Sequence, residues 1–109
     1  MTINSPSTTL AEFELLVMVA AMRLGEDDAH AVSIAADIAE RTGRSVRRAS
    51  VYMTLQRLEE KGFLSTALGE SRPERGGKPR RLVTPTRAGL AAVRTTMAGI
   101  LAMTRGVKI

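Results

Sequence analysis

Three stretches in the first half of the chain carry apolar residues at the three-to-four-residue spacing of a helix that is buried on one face. They cover residues 10–24, 31–42 and 46–61, and a glycine directly follows each of them. Glycine is common just after a helix because it adopts the left-handed backbone conformation without strain. The pattern therefore predicts three consecutive amphipathic helices.

Residues that can cap a helix precede two of the three. Thr8 or Thr9 stands before the first, with Glu12 three residues after Thr9 as in a capping box. Ser45 stands before the third, where its hydroxyl is predicted to accept a hydrogen bond from the first turn. The short turn with Gly43 between the second and third helices makes this pair a helix-turn-helix candidate.

The period of the pattern changes after Gly62. Residues 63–69 alternate as in a strand, residues 80–84 form a second short strand, and the segment between them is rich in Gly, Pro and charge. We therefore expect a β-hairpin with a long tip. Thr86 then caps a last helix, predicted over residues 87–104.

The order of these elements predicts the domain organisation. Three helices, a hairpin and a helix are typical of a winged helix-turn-helix, in which the hairpin is the wing. We assign residues 9–85 to this domain, residues 1–8 to a flexible arm, and residues 86–109 to a C-terminal dimerisation helix and tail. The predicted fold class is mainly α with a small β-hairpin.

The inventory of reactive side chains excludes most enzymes. The chain has no Cys and one His, so it lacks a thiol nucleophile and the ligands of a His- or Cys-rich metal site. We predict no catalytic residue, no metal and no cofactor. Aromatic residues make up only 3%, too few for a surface that stacks unpaired bases. No apolar run approaches the roughly 20 residues of a membrane span, so we expect a cytoplasmic protein.

The charge is divided unequally along the chain. Residues 1–40 carry one basic residue against seven acidic ones, a net −6, whereas residues 41–109 carry fifteen against four, a net +11. The pI of about 10.7 comes from this second part. Such an asymmetry favours a face that binds a polyanion, and a generally basic, soluble surface is the alternative interpretation.

The third predicted helix is the candidate DNA-reading element. Val51, Leu55 and Leu58 form its apolar stripe, and small, polar and basic residues lie opposite. Two adjacent Arg at a helix N-terminus oppose the helix dipole, a placement that becomes favourable beside phosphates or guanine edges. An ordinary solvated face is the alternative. The predicted DNA-binding residues of this helix and its cap are Ser45, Arg47, Arg48, Ser50, Met53 and Arg57.

The hairpin tip is the second candidate DNA contact. Arg75, Lys78 and Arg80 lie in or beside a Gly-rich segment whose backbone can come close to a ligand. Arg and Lys side chains on such a tip can follow the phosphates or enter a narrow minor groove. A merely soluble hairpin is the alternative. Tyr52 is also predicted at the DNA interface, where it either packs between helix and wing or reaches a phosphate. His30 is expected to pack or hydrogen-bond near the start of the second helix.

The last predicted helix carries a heptad-like apolar seam. The seam either folds back on its own domain or pairs with a second copy of the chain. Pairing is favoured, because helix-turn-helix proteins usually bind two half-sites as dimers. The predicted dimerisation residues are Leu90, Val93, Met97, Ile100 and Leu101.

Three segments of the chain resemble the PadR family of bacterial transcriptional regulators. They are LAEFELLVMVAAMRLGEDDAHAVSI, IAERTGRSVRRASVYMTLQRLEEKGFLS and ERGGKPRRLVTPTRAGL, and the resemblance covers residues 9–95. Its most specific part is SVYMTLQRLEEKGFL, followed by a basic Gly-Gly stretch and the Thr-x-x-Gly motif of Thr86 and Gly89. The single C-terminal helix is similar to that of the short class of the family.

The resemblance implies a homodimer that places the third helix and the wing on DNA, with the C-terminal helix packed against the partner's first helix. It also implies a repressor of the kind released by small aromatic or drug-like molecules. The sequence departs from the family pattern at His30-Ala31, Leu82-Val83 and Pro85, where Tyr-Gly, Tyr-Tyr and Leu are usual. These changes remove aromatic surface, and without Trp an aromatic sandwich for a drug is not expected.

The residues and the resemblance together predict a sequence-specific DNA-binding transcriptional regulator. We expect a homodimeric repressor of a palindromic operator, and the sequence leaves its response to a small-molecule effector open. The alternative is a winged-helix adaptor or antirepressor whose basic face binds an acidic protein.

Overall fold

The computed structural model describes residues 9–71, 76 and 79–109, without the side chains of residues 70 and 71. The predicted arm at 1–8 and the predicted contacts Arg75 and Lys78 lie outside these residues. The described part confirms a mainly helical fold with one antiparallel hairpin. Its elements are α1 (Glu12–Leu24), α2 (Ala31–Thr42), α3 (Arg48–Glu60), β1 (Leu64–Ser71), β2 (Pro79–Pro85) and α4 (Arg87–Thr104).

The first three helices pack around one apolar core. Met18 of α1, Ile34 of α2, and Val51 and Leu58 of α3 are fully buried. Burial of side chains of this size is worth about 1.5–3 kcal/mol each. Because α3 contributes its apolar stripe to this core, its opposite face must point to solvent.

The start of α1 differs from the prediction. Ala11 is the N-cap residue, and the Glu14 carboxylate accepts a hydrogen bond from the Ala11 N–H at 2.9 Å. The capping box predicted at Thr9 is therefore wrong. Leu10 is buried, and its N–H donates to Thr96 Oγ1 of α4 at 2.9 Å. The segment before α1 is thus held by α4.

The hairpin is fastened to the helical core at its base. β1 and β2 pair antiparallel, with Leu64 opposite Pro85 and a register shift after Leu68. Leu64 and Val83 are buried in the core. The Val83 N–H also donates to the Ala29 carbonyl at 2.9 Å, which ties β2 to the turn before α2.

The Thr-x-x-Gly motif joins α4 to the start of β1. Thr86 Oγ1 accepts a hydrogen bond from the Gly89 N–H at 3.1 Å and donates to the Gly62 carbonyl at 2.6 Å. The Thr86 N–H donates to the Phe63 carbonyl at 3.0 Å. A Cβ at Gly89 would lie 2.8 Å from Met18 Cε and closer still to the Phe63 carbonyl oxygen. Only glycine allows this approach.

The first half of α4 packs into the same core as the other helices. Ala92, Val93 and Thr96 are buried there. Val93, one of the predicted dimerisation residues, is only 6% exposed, because its side chain is covered by its own domain. The predicted boundary between residues 85 and 86 coincides with the start of α4 and does not separate two cores.

Candidate nucleic-acid interface

One face of α3 is buried and the other is open to solvent. Val51, Leu55 and Leu58 are buried together with Thr54, which confirms the predicted stripe. The outward residues carry small, polar, basic and apolar side chains, and all of them are exposed. They are Ala49, Ser50, Met53, Gln56 and Arg57, and Arg48 is exposed in the first turn beside them.

The observed N-cap of α3 lies two residues after the predicted one, Ser45. Arg47 is the N-cap residue, it makes no side-chain capping bond, and Arg48 is the first helical residue. The predicted capping role of Ser45 is therefore wrong. The reason is Val46, the residue before the N-cap, which packs against the core. An apolar residue at this position fixes the direction in which the chain enters the helix. The first turn is left without a capping side chain and can accept an anion.

Four of the cations between residues 23 and 61 pair with carboxylates of the helical domain. Arg23 and Arg41 both pair with a carboxylate of α2, at 3.3 and 3.2 Å. Arg44 pairs with α1 at 3.0 Å, and Lys61 donates to the buried Glu14 carboxylate at 2.8 Å. These four positive charges are neutralised within the fold.

The remaining cations between residues 23 and 61 form no ion pair among the described residues, although the charge of Arg57 helps to lower the pKa of Glu14. Arg47, Arg48 and Arg57 make no ion pair or hydrogen bond with any side chain in the described part of the chain, and all three are exposed. Uncompensated positive charge on one helix face raises the local concentration of a polyanion and its rate of association. The outward face of α3 is therefore the candidate interface.

A cleft of about 740 Å³ lies beside this face, between the start of α2, α3 and the hairpin. Arg48, Tyr52 and Gln56 line it from successive turns of α3, and Arg81 lines it from β2. The side chains of these four residues make no hydrogen bond within the described residues. Tyr52 lines the cleft and is 57% exposed, so its side chain is accessible to a ligand.

His30 and Arg80 close one side of this cleft. Arg80 Nη1 lies 2.9 Å from His30 Nε2, and the Ser33 N–H lies 3.3 Å from His30 Nδ1. A guanidinium only donates and a neutral imidazole has one acceptor nitrogen, so the tautomer decides which contact is a hydrogen bond. The expectation that His30 hydrogen-bonds at the start of α2 is confirmed. Arg80, predicted to contact DNA, touches its own domain here and remains exposed.

The sequence interpretation did not single out two residues of this site. Gln56 and Arg81 line the cleft and were not among the predicted DNA-binding residues. The four-residue spacing of Arg48, Tyr52 and Gln56 could have indicated a second polar face of α3. For Arg81 the basic character of the hairpin was a signal, but its position over the cleft depends on how the hairpin packs.

The second half of α4 presents apolar side chains to solvent. Leu90 is half-buried, whereas Met97, Ile100 and Leu101 are 37%, 47% and 57% exposed. A shallow apolar groove follows the same end of the helix, where Ile100 and Met103 lie beside Thr9. Four of the five predicted dimerisation residues are therefore accessible to another molecule.

Other classes of site are not found in the described part of the chain. Its His, Asp and Glu side chains form no group of three that could hold a metal ion. None of its helices is long and apolar enough to cross a membrane.

Comparison with known proteins gives a consistent assignment. The sequence model of the transcriptional regulator PadR-like family matches residues 22–95. A PadR family transcriptional regulator from Eggerthella lenta is 26% identical, with a TM-score of 0.68 over 88% of this chain and 82% of that chain. A transcriptional regulator from Clostridium thermocellum, 17% identical, shares the fold with a TM-score of 0.69 over 87% of this chain and 92% of that chain. A search of curated proteins found no match.

The matched region runs from the end of α1 through the whole hairpin and into α4. It includes all of α3 and the Thr-x-x-Gly joint. Proteins of this family regulate transcription and are not enzymes, in agreement with the composition. The chain belongs to the PadR-like family of transcriptional regulators.

Proposed function

We propose that the protein is a sequence-specific repressor that binds a palindromic DNA operator as a homodimer. The observation that carries this proposal is the distribution of paired and unpaired cations. Among the described residues, Arg47 and Arg48 at the first turn of α3 and Arg57 on its outward face form no ion pair, whereas the other cations between residues 23 and 61 each pair with a carboxylate. Such a face is suited to the phosphates and base edges of DNA.

The two faces of α3 have different roles in this proposal. The outward face, with Ser50, Met53 and Arg57, enters the major groove and meets base edges. The cleft-lining side chains of Arg48 and Tyr52, together with Arg81, bind the sugar–phosphate backbone.

Contacts around α3 complete the proposed interface. Ser45 and Arg47 lie at the open first turn, where a phosphate is stabilised by the helix dipole. The hairpin extends the interface to neighbouring phosphates of the DNA through Arg80, and through Arg75 and Lys78 of its tip. Arg75 and Lys78 are included on the basis of the sequence alone.

The homodimer is proposed on the exposed apolar surface of α4. Leu90, Met97, Ile100 and Leu101 would be covered by the partner around a two-fold axis, which also places two α3 helices on a palindrome. A repressor of this kind acts in the cytoplasm, where the DNA is. A small-molecule effector is a further proposed partner, and its chemistry is left open.

The test uses DNA selected by the protein from a random pool. We expect Arg47→Ala, Arg48→Ala and Arg57→Ala each to lower the affinity for the selected site by about 5- to 150-fold, as for a lost base or phosphate contact of 1–3 kcal/mol. Arg105→Ala, a matched control at the exposed end of α4, should leave the affinity unchanged.

The salt dependence distinguishes the type of contact. The slope of log K against log salt is negative, and a lost phosphate contact reduces its magnitude by about 0.9 and weakens binding to all sequences equally. A lost base contact relaxes the preference at one position of each half-site. If no sequence is enriched from the pool and the protein instead binds an acidic protein, the adaptor interpretation replaces the repressor.

A further inference from the structure

Met53 lies at the crest of α3, the line of the helix that projects furthest from the core. At 100° per residue, Ala49 and Arg57 lie about 40° to either side of it, and Ser50 and Gln56 about 60°. The buried residues of α3 occupy the far side of the helix. Met53 is 61% exposed, so the most prominent side chain of the proposed DNA-reading face is apolar.

An isolated exposed apolar residue normally needs no explanation. Met53 is different because of its neighbours. It does not line the cleft beside α3, and it is remote in sequence from the apolar surface of α4. Ala49, one turn earlier, is the other apolar residue of the crest, while polar or basic side chains flank the crest on both sides. The helix therefore offers a narrow apolar line between two polar rows.

The major groove of DNA has one apolar feature that suits such a line. Base edges there carry hydrogen-bond donors and acceptors, and the C5-methyl group of thymine is their one apolar group. We infer that Met53 reads a thymine in each half-site through contact with its 5-methyl group. Its unbranched, polarisable thioether adapts to the position of the methyl, and the small Ala49 allows the helix to approach closely.

This inference rests on the proposed function and makes it specific. It assigns an A·T pair to the centre of the α3 footprint, with hydrogen-bonding side chains on either side. Ser50 and Arg57 would then contact the neighbouring base pairs or phosphates.

The experiment removes the methyl group without changing base pairing. In the selected operator, each thymine is replaced in turn by deoxyuridine, and the affinity is measured for the wild type and for Met53→Ala. A buried methyl is worth about 0.8 kcal/mol. Replacing the contacted thymine in one half-site should therefore lower the affinity of the wild type about 4-fold, and replacing it in both half-sites about 15-fold.

The variants make the assignment specific to one side chain. Met53→Ala should bind the thymine operator more weakly and show no further loss on deoxyuridine substitution at that position. Met53→Leu should retain most of the discrimination. Arg57→Ala, the matched control on the same face, should bind more weakly but keep the 4-fold sensitivity to the methyl. Because Met53 is exposed, the thermal midpoint of Met53→Ala should equal that of the wild type.

Two results would overturn the inference while leaving the proposed function intact. One is specific binding by the wild type with no thymine sensitive to loss of its methyl. The other is a Met53→Ala variant that still discriminates thymine from deoxyuridine at the same position. If the chain selects no DNA sequence at all, the proposed function fails, and the inference fails with it.

Discussion

Gly89→Ala tests the close approach between α4 and the start of β1. The added methyl would lie 2.8 Å from Met18 Cε and 3.0 Å from the carbonyl carbon of Phe63, with the carbonyl oxygen of Phe63 closer still. A flexible Met side chain can move away, but the backbone of Phe63 is held by hydrogen bonds to α3 and to Thr86. We therefore expect α4 itself to shift.

The magnitude follows from two opposing effects. Replacing Gly by Ala inside a helix normally stabilises it by about 0.8–1.0 kcal/mol. Overpacking costs about 1–3 kcal/mol, and more when backbone atoms must move. Because Ala92, Val93 and Thr96 also lose packing when α4 shifts, we expect the upper end of this cost and a net loss of about 2 kcal/mol in the free energy of unfolding. For a domain of this size the thermal midpoint should fall by roughly 10 °C or more.

Gly99→Ala is the matched control in the same helix. No atom lies within 4 Å of a Cβ at this position. The substitution should therefore stabilise the protein by about 0.8–1.0 kcal/mol, the difference in helix propensity between Ala and Gly. Both variants are measured by urea unfolding at one fixed protein concentration, because association would shift the apparent stability. A Gly89→Ala variant as stable as the wild type would refute the packing argument.

Two further predictions concern the charge at the start of α1 and the surface of α4. Burial raises the pKa of Glu14, but the bonds from Lys61 and from the N-cap N–H lower it more, so the pKa lies below its ordinary value of 4.5. Its stabilisation is therefore present above pH 4.5 and is lost as the pH falls through the lower folded value. Glu14→Gln should cost about 1–3 kcal/mol in urea unfolding at pH 7, and less at pH 3. Met97→Asp combined with Ile100→Asp should abolish a dimer seen by light scattering, whereas the exposed control Ala102→Asp on another face of α4 should not. A double variant that stays dimeric would contradict the proposed interface.

The helices and strands were predictable because each depends on local signals. The apolar spacing placed α2 at the observed residues, the Thr86 cap placed the start of α4, and Gly25 and Gly43 end α1 and α2 as expected. The caps of α1 and α3 were not predictable in the same way. A Ser or Thr competes for the N-cap position with the tertiary contacts of its neighbours, and the packing of Leu10 and of the partly buried Val46 against the core decides the outcome.

The candidate site was predictable only as far as it lies on one helix. The exposed face of α3 follows from its period, whereas the cleft brings together residues that are distant in sequence, such as His30 and Arg80. The seam of α4 shows the same limit. Val93 and Met97 are one turn apart and both apolar, but the periodicity does not reveal that the first faces its own core and the second faces solvent.

The contacts around Phe63 connect the proposed reading face to the proposed dimer helix. The Phe63 N–H donates to the Leu58 carbonyl of α3 at 2.9 Å, and the Phe63 carbonyl accepts from Thr86 at the start of α4 at 3.0 Å. α3 and α4 are thus joined through Gly62 and Phe63, since Thr86 also donates to the Gly62 carbonyl at 2.6 Å, beside the tight contact of Gly89. In the proposed homodimer, the separation of the two α3 helices is then set by how the two α4 helices pack, and it must match about 34 Å for half-sites one turn apart. An effector that shifts one α4 against the other would change this separation without touching the DNA-binding residues.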